Sequence, residues 1–82
     1  MNYETWAVML WIDNDEYSQE EARLIAAPDL PREVVESAVR EFVEECMMPE
    51  GTFDTATVAT DLLNHALAMV DWTAVVAALR EE

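Results

Sequence analysis

Residues 31–48 read Pro-Arg-Glu-Val-Val-Glu-Ser-Ala-Val-Arg-Glu-Phe-Val-Glu-Glu-Cys-Met-Met, and this stretch decides the fold class. Val34, Val35, Ala38, Val39, Phe42 and Val43 recur at three- and four-residue spacing, which gathers them into one stripe on an α-helix. Pro31 suits a first helical turn, with Asp29 or Leu30 just ahead of it. Pro49-Glu50-Gly51 stops the helix. Opposite the stripe lie Glu33, Glu36, Glu41, Glu44 and Glu45, interrupted only by Arg32 and Arg40. One side of the helix therefore asks for a core and the other carries dense negative charge.

Working outward, residues 18–27 form a second amphipathic segment. Ser18-Gln19-Glu20-Glu21 matches a capping box, with Ser18 at the cap and Glu21 at the third position. Ala22, Ile25 and Ala26 supply its apolar face, with Leu24 beside them, and Pro28 ends it. Residues 55–70 predict a helix capped by Asp54. Val58, Leu62, Ala66 and Met69 share one side, with Leu63, Leu67 and Val70 close by. Residues 72–80 predict a last helix, capped by Asp71, with Val75, Val76 and Leu79 apolar. Residues 3–13 are apolar nearly all round, which fits either a buried helix or a buried strand. The β-formers Thr5, Trp6, Val8, Trp11 and Ile12 favour a strand individually. Asn2 as an N-cap, and the lack of hairpin turn signals, favour the helix. The expected architecture is all-α: a compact bundle of four to five short helices in one domain spanning residues 1–82.

Charge is the dominant compositional feature. Eighteen Asp and Glu face four Arg and no Lys, for a formal net charge of −14. A charge this large repels itself and favours basic partners. It argues against direct binding to nucleic acid, which needs cations for its phosphates, and against an anionic membrane. Cys46 is the only cysteine, so no internal disulfide forms and a reducing cytoplasm is the expected compartment. No signal peptide is expected, because Glu4, and no basic residue, stands ahead of the apolar run at residues 6–12.

The residues offer little chemistry. His65 is the single histidine and is expected as a partly buried structural residue. Cys46, beside Met47 and Met48, is expected as a small core residue. Nothing in their spacing makes them a nucleophile and base. Asp13-Asn14-Asp15-Glu16 invites a calcium loop, but Tyr17, Ser18 and Leu24 stand where an EF-hand needs a ligand, a glycine and a glutamate. The stretch is better read as an acidic connection between two helices. No enzyme activity, metal or cofactor is expected.

The acidic surface remains as the functional candidate. Glutamates four apart on a helix rise by about 6 Å, comparable to the spacing of successive phosphates along a nucleic-acid strand. Asp13, Asp15, Glu16, Glu20 and Glu21 form a second cluster. A solvated helix face ordinarily alternates its signs at four-residue spacing, and this one does not. Mimicry of nucleic acid at a basic protein groove explains the imbalance. Adaptation to molar salt, in an acidic adaptor with no inhibitory role, is the competing explanation, and the absence of Lys fits it.

The opening Asn2-Tyr3-Glu4-Thr5-Trp6, followed by a Val/Leu/Trp helix and Asn14, resembles the start of a family of small proteins carried by phages, plasmids and prophages. The resemblance covers the first fifth of the chain and implies a mobile-element accessory protein. Size, acidity and helical character are similar to small anti-CRISPR proteins that block type I Cascade complexes, and an anti-restriction role is the neighbouring expectation. The implied partner is the basic nucleic-acid-binding surface of a CRISPR effector or restriction enzyme. Tyr3, Trp6 and Trp11 are the matched positions. Core packing is their first expected role, and an exposed aromatic anchor the second. The apolar first segment is also compatible with a homodimer.

Overall fold

The computed structural model describes residues 1–82. Five helices follow one another: α1 (Tyr3–Asn14), α2 (Glu16–Ala26), α3 (Arg32–Cys46), α4 (Val58–Met69) and α5 (Trp72–Leu79). The chain is a small all-helical bundle, and the first segment is a helix. Asn2 caps α1, its side-chain oxygen accepting from the Thr5 backbone N–H at 2.8 Å.

Valines and alanines make the core. Val35, Val39, Phe42 and Val43 of α3 meet Ala22 and Ala26 of α2, Val75 and Val76 of α5, and Ile12 of α1. Small side chains let the helices approach closely, and α5 sits between α1, α2 and α3. In contrast, α4 rests chiefly on α1 and contributes only Leu67 and Thr60 to the interior, with Val70 just beyond its end. The chain bends by 64° between α4 and α5, and no single helix is long and apolar enough to cross a membrane.

Three helix starts differ from the sequence expectation. Asp15, not Ser18, caps α2, accepting from the Ser18 backbone N–H at 3.3 Å and from its hydroxyl. Ser18 is instead buried inside the first turn. Only Asp15 separates α1 from α2, and its extended backbone makes it the break, so the nearest acceptor takes the cap. Thr57, not Asp54, caps α4, accepting from the Thr60 N–H at 3.1 Å. Asp54 belongs to the turn around Gly51, whose φ of 82° lies in the left-handed region. Pro31 lies immediately before α3 rather than within it, and the helix ends at Cys46 rather than Met48. Asp71 caps α5 as expected.

Buried polar groups tie the elements together. Thr5 is fully buried, and its hydroxyl accepts from the Asp71 N–H at 2.8 Å, fixing α1 to the α4–α5 junction. Asn2 Nδ2 donates to the Met69 carbonyl at 2.6 Å at the same junction. The Thr60 hydroxyl donates toward the Thr55 carbonyl at 2.8 Å, holding the 47–57 loop against α4. The Arg80 guanidinium donates to the carbonyls of Ala26 at 2.6 Å and Pro28 at 2.9 Å. It satisfies acceptors left open by the end of α2.

Candidate functional site

The expected acidic residues fall into two kinds. Some carboxylates have internal duties. Asp15 is a helix cap. Asp13 accepts from Gln19 Nε2 at 3.3 Å. Glu36 accepts from the Thr73 hydroxyl at 2.9 Å, on the flank of α3 that faces α5. Glu44 pairs with Arg40 one turn earlier at 2.8 Å. The others, Glu16, Glu20, Glu21, Glu33, Glu41 and Glu45, have no hydrogen bond or ion pair in the structure. All of them but Glu21 are exposed.

Geometry sets these faces because α3 buries its Val35–Val39–Phe42–Val43 stripe. Its 3.6-residue period therefore turns Glu33, Ser37, Arg40, Glu41 and Glu44 outward. In the same way α2 buries Ser18, Ala22 and Ala26 and turns out Glu16, Tyr17, Glu20 and Leu24. The two helices pack against one another, and each turns its acidic face away from its buried stripe.

Cations are the scarce partner. Three of the four arginines form ion pairs within the chain: Arg23 with Glu81 at 3.9 Å, Arg32 with Glu82 at 3.2 Å, and Arg40 with Glu44 at 2.8 Å. The fourth, Arg80, is held by backbone carbonyls. All positive side chains are thus engaged internally, two of them with the chain's last two residues. Arg40 stands on the α3 face itself but is paired with Glu44, so the six remaining carboxylates of α2 and α3 have no cation within ion-pair distance.

Several side chains lie elsewhere than expected. Tyr3, Trp6 and Trp11 are 71%, 50% and 65% exposed, so core packing is not their role. They stand on the outer side of α1 because Thr5, Ile12, Val8 and Met9 fill its inner side. Tyr3 and Trp6 touch, with ring centroids 5.7 Å apart. His65 is exposed on α4 and Cys46 is exposed at the end of α3, correcting the buried structural roles expected of both. The expected apolar side of α4 is also turned out. Val58, Leu62 and Met69 are exposed, while Leu63 and Leu67 face α1.

Two surface features were not singled out in the sequence. Tyr17 and Leu24, both exposed, interleave with Glu16 and Glu20 on α2, so Leu24, expected beside the apolar face, is turned to solvent instead. Their three- and four-residue spacing from Glu20 was the available signal. The second is an apolar groove of about 420 Å³. Tyr3, Ala7 and Trp11 of α1 form one wall, Leu63 and Ala66 of α4 the other, and Met47 and Met48 close one end.

No curated protein and no solved structure is similar to this chain. A family model described as a family of unknown function, DUF7249, matches residues 1–81. Since that match spans nearly the whole chain, the protein belongs to this family of unknown function, DUF7249.

Proposed function

We propose that the protein is a non-catalytic inhibitor that occupies the basic nucleic-acid-binding surface of a bacterial defence complex, a type I CRISPR effector of the Cascade kind. The observation that carries this reading is the internal use of every arginine beside an outward acidic α2–α3 face. Glu33, Glu41, Glu45, Glu16, Glu20 and Glu21 pair with the Lys and Arg that otherwise hold phosphates. Tyr17 and Leu24, set among them, supply apolar contacts that a nucleic-acid backbone lacks, and so give selectivity for one groove over others. The choice of a CRISPR effector rests on the mobile-element resemblance of the N-terminal sequence. Such a protein acts in the cytoplasm of the bacterial host, needs no cofactor, and touches no nucleic acid itself.

Salt adaptation fits the surface less well. Leu24, Leu62, Trp11 and Tyr3 are all more than 60% exposed, and strongly salting-out conditions raise the cost of wetting such groups. Calorimetric titration into purified Cascade tests the proposal. Binding should weaken steeply between about 0.05 M and 0.5 M salt, as screening shortens the reach of surface charges from about 14 Å to about 4 Å. Binding that is insensitive to salt, or absent at low salt, would reject the electrostatic mechanism.

A further inference from the structure

Carboxylates are unevenly shared among the helices. Together α1, α4 and α5 carry only Glu4, Asp13 and Asp61 of the eighteen acidic residues, while α2 and α3 carry eight. The least charged side of the molecule also holds Tyr3, Trp6, Leu10 and Trp11 in water, although Tyr17, Leu24 and Val34 are exposed on α2 and α3 as well. Along α1, Tyr3, Trp6 and Leu10 form an exposed ridge at three- and four-residue spacing. Beside the ridge opens the groove between α1 and α4, walled by Trp11 and Leu63. Tyr3, Trp6 and Trp11 alone leave on the order of 400 Å² of aromatic surface exposed. That is about half of the ~800 Å² per partner in a standard interface, and Leu10, on the same ridge as Trp6, enlarges it. A patch of this size on a small chain marks a docking surface.

We infer that the occupant is a second copy of this chain, in a two-fold dimer built on α1 and α4. The ridge of each copy lies in the groove of the other, so one patch serves as both donor and acceptor surface. Charge selects this partner. Two copies that each carry −14 can approach closely only through the side with the fewest carboxylates, and the α1–α4 side is that side. The acidic α2–α3 faces then point away from the interface, and the dimer presents two of them. The dimer uses a different surface from the proposed inhibitory face, so either can fail without the other.

Salt separates the two. Screening removes repulsion between like-charged copies, so dimerisation strengthens with salt, whereas binding to a basic partner weakens. The test is sedimentation equilibrium of the whole chain at about 0.05 M and about 0.5 M salt, on wild type, Trp11→Glu and Leu30→Glu. Leu30 is exposed on the α2–α3 connection and controls for adding one charge at an apolar surface position. Circular dichroism checks that helix content is unchanged. Wild type should reach twice the 9.3 kDa chain mass and do so at lower concentration in high salt. Trp11→Glu should weaken the dimer by at least tenfold, while Leu30→Glu weakens it less than threefold. A chain that stays monomeric at both salts, or a dimer indifferent to Trp11→Glu, would overturn the inference.

Discussion

Replacing Arg80 by methionine should unfold the protein at markedly lower temperature. Arg80 Nε donates to the carbonyl of Ala26 at 2.6 Å, and Nη2 donates to that of Pro28 at 2.9 Å. Methionine keeps most of the aliphatic stem but removes both donors and the positive charge at the C-terminal end of α2. A hydrogen bond from a charged group contributes about 1.5–3 kcal/mol when shielded. The bond to Pro28 is exposed and counts for less, while the helix-end charge adds about 0.3–1 kcal/mol. The expected loss is therefore about 2 kcal/mol. In a domain of this size that lowers Tm by about 8–16 °C, read by thermal melting at low salt. Arg80→Lys should recover only part of the loss, because an ammonium cannot fork to two carbonyls in the guanidinium geometry. A Tm within about 2 °C of wild type for Arg80→Met would refute the claim that this arginine clasps α2 to the end of α5.

Further outcomes follow from the same packing. Phe42→Ala removes the largest fully committed side chain of α3 and should cost about 3–5 kcal/mol in urea denaturation. That is a large part of the ~4–12 kcal/mol available to a chain this long. Asp15→Ala deletes the α2 cap and should cost about 1 kcal/mol in the same assay. Combining Glu41→Gln with Glu45→Gln relieves like-charge repulsion between carboxylates one turn apart on α3. It should raise stability by a few tenths of a kcal/mol at low salt, with the gain vanishing near 1 M salt.

The helices were legible in the sequence because their periodicity is local. Of the expected α3 stripe, Val35, Val39, Phe42 and Val43 are buried and Ala38 is half-buried, while Val34 at its start is exposed; the outward glutamates follow by geometry. Orientation was not legible where a segment is apolar on every side. Nothing along α1 marks Thr5 as buried and Trp11 as exposed. That choice is made by the Asp71 N–H, which sits 66 positions away and needs the Thr5 hydroxyl. The same holds for α4, whose Val58, Leu62 and Met69 look as core-like as Leu67 until the thin contact with α1 is seen. Caps shifted at Asp15 and Thr57 because several acceptors stood within one turn. Periodicity does not choose among them; the turn geometry does. Of the candidate site, the acidic face of α3 was readable. The engagement of Arg23, Arg32 and Arg80 by partners fifty or more positions away was not, and it keeps these cations from the unpaired carboxylates.

The most direct measurement is a gel-shift competition between this protein and target DNA for purified type I Cascade. Wild type should displace the DNA as its concentration rises. The combination Glu33→Lys, Glu41→Lys and Glu45→Lys, which alters only exposed groups without internal partners, should lose that displacement with helicity intact. DNA binding that is unchanged by wild-type protein, or displaced equally well by the charge-reversed variant, would contradict the account.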